Sequence, residues 1–232
     1  EGNTQMCHQT TFGMSERLLG AVVAMHGDDK GLILPPSIAP FQVVVMPVAA
    51  HSDSNVLPAV EALAEELSSN GLRTRVDSRD VRPGVKHYDW EIKGVPIRIE
   101  LGPRDLSSGK CVATMRTGGK TEIELDGVST TVWNMLSTIS DELRERAASL
   151  ADNLVHPFPL ENLTSDDSLE SQLVDGVVYE IAFDGNDSDA EFLEKKTGLT
   201  LLGESDDNFS EEKPCLVSGK LTAKRQFISR MY

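Results

Sequence analysis

The sequence has only three cysteines, no apolar run of membrane-spanning length and no overall excess of positive charge. Cys7, Cys111 and Cys215 are odd in number and far apart, which argues against a disulfide framework and suits a reducing cytosol. A bilayer span needs roughly 20 apolar residues, and no stretch approaches that length. The opening residues, Glu1-Gly2-Asn3-Thr4-Gln5-Met6-Cys7-His8, lack the basic head and apolar segment of a signal peptide, so a cytoplasmic location is expected. No internal repeat or low-complexity segment is visible. The formal net charge of −15 speaks against a polyanionic partner, but the charge is unevenly placed. Residues 71–120 carry eleven Lys/Arg against six Asp/Glu, a net of +5, whereas 151–232 carry seven against seventeen, a net of −10. Attraction to phosphates depends on the local field, so the basic middle still permits RNA.

What is present is a charged stretch at 82–105, which sets Arg82, Lys86, Lys93, Arg98 and Arg104 among turn and aromatic residues. Its later part alternates, with Val95, Ile97, Ile99 and Leu101 on one face and Arg98 and Glu100 on the other, the period of a half-buried strand. Preceded by Trp90-Glu91-Ile92-Lys93, it reads as a basic, aromatic-flanked sheet edge suited to unstacked bases. Arginine grips guanine by two prongs, and single-stranded RNA is read through such contacts and through stacking on aromatics. An ordinary strand with a solvated charged face has the same alternation.

Around that stretch the patterning is α/β. Residues 16–26 read as a helix with Ser15 as cap and Leu18, Leu19, Val22, Val23 and Met25 as a broad apolar face. Such a face calls for a sheet to lie against, so the chain is expected to begin inside a larger domain. Arg17, in the first turn, suits a phosphate, although a solvated surface arginine is the plainer reading. His26-Gly27-Asp28-Asp29 lacks metal-ligand spacing and is expected to be the turn that stops the helix. Pro35-Pro36-Ser37-Ile38-Ala39-Pro40 reads as a rigid linker. The run 41–48 is a strand buried on both faces. The helix at 52–70 is capped by Asp53 or Ser54, with Val56, Leu57, Val60, Leu63, Ala64 and Leu67 inward. Further strands are expected at 72–76, 95–102, 111–115 and 121–125, with a short helix between the first two. A closing helix at 128–150 turns Val132, Leu136, Ile139, Leu143 and Ala147 inward. These make helices over a small mixed sheet. Residues 151–232 give a small α+β domain: strands at 177–183 and 199–202 about a helix at 188–197, a polar loop to 214, a turn at 215–220 and a basic last strand. Tyr232 is expected to be docked.

Three stretches carry a resemblance. Gln9-Thr10-Thr11-Phe12-Gly13-Met14-Ser15-Glu16-Arg17, followed by His26-Gly27-Asp28-Asp29-Lys30-Gly31-Leu32 and Pro35-Pro36, resembles motif 3 of class II aminoacyl-tRNA synthetases. Ala39-Pro40-Phe41-Gln42-Val43-Val44 and the run from Trp90 to Asp105 resemble the anticodon-binding domain of prolyl-tRNA synthetases. The acidic last domain and terminal tyrosine are similar to the archaeal and eukaryotic-type branch. The resemblance implies the end of a class II catalytic domain at 1–36, an anticodon-binding domain at 37–150 and a zinc-binding-like C-terminal domain at 151–232. It makes Arg17 the catalytic, ATP-holding arginine with Ser15 beside it, and lines a proline pocket with Thr11, Phe12 and Gly13. Phe12 stands where the family often has Trp or Tyr, and an aromatic wall suits the pyrrolidine ring. Glu91, Arg98 and Arg104, with Lys93 as a weaker member, would read the two guanines of the proline anticodon.

The implied substrates are proline, its tRNA and ATP with Mg, and the implied partners are an N-terminal catalytic half and a second copy in a homodimer. Two departures stand out. The family's zinc cysteines align with Asp184, Asp189, Cys215 and Ser218, a poor tetrahedral set, so no structural zinc is expected. Motifs 1 and 2 are missing from these residues, and one arginine cannot position two substrates, so the chain alone is expected to be inactive in proline activation. The competing possibility is a non-catalytic tRNA-binding module on the same α/β frame. A threonyl- or glycyl-type relative fits the Lys93–Asp105 string less well.

Overall fold

The first unit grows around β1 (Val43–Pro47), whose Val43, Val44, Val45 and Met46 are all buried, because a run without polar residues needs cover on both faces. The computed structural model describes residues 6–160, 163 and 173–231, and the chain divides into two compact units, 1–147 and 148–232. From β1 the chain passes through α2 (Val56–Ser69) to β2 (Thr74–Val76), then through α3 (Pro83–Ile92) to β3 (Ile97–Leu101). Both β2 and β3 pair parallel to β1. After α4 (Pro103–Ser108), the antiparallel strands β4 (Lys110–Met115) and β5 (Lys120–Glu124) complete a sheet of order β2-β1-β3-β4-β5. α5 (Val128–Leu154) follows.

The first crossover runs from β1 out to β2 and the second from β2 back past β1 to β3, and α2 and α3 cover opposite faces of the sheet. Val60, Leu63 and Leu67 of α2 meet Val43, Ile97 and Ile99 in one core, joined by Val132, Leu136 and Ile139 of α5. Trp90 of α3 covers Val44 and Met46 on the other side. Each fully buried Val, Leu or Ile contributes about 1.5–3 kcal/mol relative to exposure.

Four local expectations change. β3 is the middle strand of five rather than an edge, because the chain crosses back past β1 before adding β4 and β5. Val95 precedes β3 and packs with Trp90, away from Ile97 and Ile99. Leu57 stays 37% exposed, since the stripe that α2 presents to the sheet runs through Val56, Val60, Leu63 and Leu67. The proline-rich stretch at 35–40 is fastened to the sheet rather than free: Arg73 donates from Nε to Ala39 O (2.9 Å) and from Nη2 to Pro36 O (2.7 Å), and Gln42 Nε2 donates to Pro36 O (3.2 Å).

Before β1, α1 (Arg17–His26) starts at Glu16, with Ser15 Oγ accepting the Arg17 N–H at 3.4 Å. Its apolar residues are open, with Leu18 53% and Leu19 60% exposed, and His26 is its one buried residue. Among the described residues nothing covers that face.

The second unit contains β6 (Val155–Pro157), β7 (Val178–Ala182), α6 (Asp187–Thr197), β8 (Thr200–Glu204), β9 (Lys213–Pro214), β10 (Leu221–Thr222) and β11 (Arg225–Ser229). Its main sheet has the order β6-β7-β11-β8, and β9 with β10 forms a ribbon across the turn expected at 215–220. β6 is too short, at three residues, to show as a period in the sequence. α6 opens with a capping box, in which Asn186 accepts from Ser188 and Asp189 N–H groups and Asp189 accepts from Asn186 N–H. Phe183, Leu193 and Ile228 form the centre of its core. Tyr232 lies outside the described residues.

Candidate nucleic-acid interface

The pleat of β3 sends Ile97, Ile99 and Leu101 into the core and leaves Arg98 and Glu100 on the opposite face, both half-buried. Register extends each into a row across the sheet. Val44, Arg98, Thr114 and Lys120 lie side by side, and so do Met46, Glu100, Val112 and Glu122. α3 covers the β1 end of these rows through Trp90, while Thr114 and Val112 are half-buried and Lys120 and Glu122 exposed. The result is a charged shelf with α3 as its wall.

Arg98 crosses to that wall and donates from Nη1 to His87 O at 3.2 Å. Its Nε–H is buried and, among the described residues, has no partner. The bond to His87 O anchors the half-buried guanidinium to the wall, while the buried Nε is closed to solvent. Glu91 lies one turn beyond His87 on α3, half-buried, with Lys30 at 3.7 Å. Glu100 is occupied by His87 Nε2 at 2.6 Å and by Lys120 Nζ at 3.6 Å. Arg104 stands exposed on α4, just past the end of β3. The fold therefore sets Arg98 and Glu91 on one wall, with Arg104 on the next element.

Lys93 is not brought to them. It folds over the Trp90 ring at 4.6 Å and lines an apolar pocket of about 360 Å³ with Leu32, Leu34, Pro40 and Phe41, which contains none of Glu91, Arg98 or Arg104. Trp90 is no stacking platform either. It is 7% exposed, and its indole N–H donates to Asp77 Oδ2 at 2.7 Å. Trp90-Glu91-Ile92 close a helix instead of leading a strand. The same Asp77 takes the Arg79 guanidinium at 2.8 Å, and its backbone oxygen takes the buried Lys86 ammonium at 3.0 Å. Arg79 first, then Trp90, holds the Asp77 carboxyl well below the usual range. Of the cations counted in the basic middle, Lys86 and Arg116 are buried and the exposed Arg79 is paired with Asp77 and Asp89, so the field at the shelf is smaller than their number suggests. His87 and Lys120 are the residues missed from sequence. His87 could have been found from its four-residue spacing to Glu91 on one helix face. Lys120 could not, since only strand register places it opposite Thr114 and in the row of Arg98.

The motif 3-like residues form no enclosed site here. Thr11, Phe12, Gly13 and Ser15 lie on an exposed segment without regular structure, Phe12 at 92% exposure, and Arg17 begins α1 facing solvent.

The zinc-aligned residues do not fit a zinc ion. Asp184 is paired with Lys224 at 2.7 Å, and Asp189 is spent on the α6 capping box. Cys215 is the one thiol and is 1% exposed. Burial pushes that thiol up, but hydrogen bonds from the Ser218 hydroxyl and from the backbone N–H groups of Asp184, Ser218 and Val217 outweigh it and bring it below the usual value. Among the described residues no group of three or more His, Cys, Asp or Glu is placed to hold a metal.

A family model described as an anticodon binding domain matches residues 42–135, the segment that carries this shelf. The proline–tRNA ligase of Methanoregula boonei is 39% identical over the whole chain, which covers 48% of that protein. The proline–tRNA ligase of Thermococcus kodakarensis is 49% identical over 66% of the chain and 32% of its own length. The chain belongs to the prolyl-tRNA synthetase family. It spans about half the length of the relatives it matches, and corresponds to their C-terminal half. A solved structure of the family, Giardia lamblia prolyl-tRNA synthetase in complex with prolyl-adenylate, superposes with a TM-score of 0.80 at 28% identity, over 93% of this chain and 48% of that one. The α/β architecture is that of the family. Among the described residues no helix is long and apolar enough to cross a membrane.

Proposed function

We propose that the chain supplies the anticodon-reading part and motif 3 of a proline–tRNA ligase, acting in the cytoplasm on proline, ATP and proline tRNA. Residues 1–36 end the catalytic domain, 37–150 bind the anticodon and 151–232 form the metal-free last domain. Arg98 contacts O6 and N7 of an anticodon guanine, and Glu91 accepts from the N1 and N2 groups of a guanine. Arg104, beyond the end of β3, contacts the second guanine or its phosphate. The observation that carries this reading is the half-buried Arg98 guanidinium on β3, anchored by one hydrogen bond to α3, the helix that also carries the half-buried Glu91. Arg17 holds ATP once motifs 1 and 2 are present, with Ser15 beside it. Thr11, Phe12 and Gly13 then wall the proline pocket, and magnesium arrives with the nucleotide. The complete enzyme works as a homodimer.

The test is a pair of dissociation constants for the unmodified chain. One is for a stem–loop carrying the two anticodon guanines, the other for the same stem–loop with adenines in their place. Two lost base contacts at about 1–3 kcal/mol each make the guanine loop at least tenfold tighter. Equal affinities would refute base reading and leave only phosphate attraction.

A further inference from the structure

The hairpin that follows α1 is built into the base-reading wall, although sequence assigns it to the preceding domain. Arg116, at the end of β4, has its side chain only 3% exposed. It donates from Nη1 to Asp28 Oδ2 at 2.9 Å and from Nη2 to Asp28 Oδ1 at 2.5 Å, a two-pronged pair across 88 residues of sequence. Its Nε donates to Glu91 O at 3.1 Å, and Nη2 also reaches Gly31 O at 3.4 Å. One buried guanidinium therefore holds both the hairpin and the last turn of α3. Leu32 N–H donates to Ile92 O at 3.0 Å, and Leu34 N–H to Gly94 O at 3.3 Å. The two backbones approach so closely that a Cβ on Gly31 would lie 2.5 Å from Ile92 Cα, and one on Gly94 2.7 Å from Leu32. Both glycines also have positive φ, 131° and 69°, which suits them to this contact and bars larger residues. Lys30, on the same hairpin, faces the Glu91 carboxylate.

We propose that Arg116 and the Asp28 hairpin are a positioning device for Glu91, so that preference for guanine depends on a carboxylate, Asp28, that touches no base. This rests on the reading of Glu91 given above. The last turn of a helix has unpaired carbonyl groups and frays when nothing satisfies them. Here the carbonyls of Glu91, Ile92 and Gly94 are taken by Arg116, Leu32 and Leu34. A base contact needs its side chain held to about half an ångström. Releasing the clasp moves Glu91 out of register without altering the shelf of Arg98. Salt bridges on a surface contribute little, but this pair is anchored by an arginine whose buried charge has Asp28 as its counter-ion, and loss of one member leaves that charge uncompensated.

The experiment measures the ratio of affinities for the guanine and adenine stem–loops in Asp28→Asn, Glu91→Gln and the double variant. Asp28→Asn is expected to lower the ratio about tenfold, within the range for one lost base contact, while affinity for the adenine loop stays within twofold. In the Glu91→Gln background Asp28→Asn is expected to add almost nothing, because both changes remove one contact. An unchanged ratio in Asp28→Asn, or two losses that add in full, would overturn the proposal. A ratio of two affinities does not depend on how much of the sample is folded, and Arg116→Lys, which keeps the buried charge but loses the two-pronged geometry, is expected to lower the ratio as Asp28→Asn does. Absence of guanine preference in the unmodified chain would instead refute the base-reading function itself.

Discussion

Replacing Arg98 by alanine is expected to weaken binding of the guanine stem–loop by about 1–3 kcal/mol, the value of one two-pronged base contact. Affinity for the adenine loop should hardly change. The cause is local. Arg98 points away from the core that Ile97 and Ile99 build, and among the described residues its one hydrogen bond is that to His87 O, so its loss leaves the sheet intact. Lysine at this position keeps the charge but not the fork, and is expected to restore attraction to both loops equally without restoring the preference. An equal loss for the guanine and adenine loops on Arg98→Ala would mean that the residue meets only phosphate. The readout is fluorescence anisotropy of labelled stem–loops at fixed salt, since phosphate contacts make every such affinity salt-dependent.

The larger effect is expected at Arg17. In the chain paired with a separately produced N-terminal half of a family member, Arg17→Ala should lower prolyl-adenylate formation by roughly 10²–10³, the usual cost of one group that stabilises charge in the transition state. Binding of the guanine stem–loop should be unchanged, because Arg17 is exposed at the start of α1 and makes no contact with the shelf. In the proposed role, the planar cation would hold the nucleotide so that the α-phosphate is open to the proline carboxylate, and would spread the charge that develops there. Full-rate adenylate formation with alanine at 17 would contradict the ATP assignment.

Much of the frame was legible because its signals are local. The unbroken apolar run of β1 and the three- and four-residue spacing of α2 each have one structural reading, and the structure agrees to within a few residues. The alternation of β3 correctly separated Ile97, Ile99 and Leu101 from Arg98 and Glu100. What alternation cannot carry is the neighbour on either side. The central place of β3 follows from the crossover through α3, which carries the chain from β2 back past β1, and from the later addition of β4 and β5, none of it written within residues 95–102. Trp90 looked like a base platform because an aromatic beside basic residues has that pattern. Its actual role depends on Asp77, thirteen residues earlier, accepting the indole N–H. Lys93 has the right charge, yet Trp90 gives it a ring to lie on. Asp28 and Arg116 illustrate the limit most clearly, since nothing near either residue names the other and only the folded chain makes them a pair.

The most direct measurement is chemical probing of the two anticodon guanines in the bound stem–loop, with a methylating reagent at N7 and a dicarbonyl reagent at N1 and N2. Both guanines should be protected in the complex, and Arg98→Ala should re-expose N7 of one while the neighbouring phosphates stay covered. If the guanine edges react in the complex as fast as in free RNA, the shelf beside α3 does not read bases.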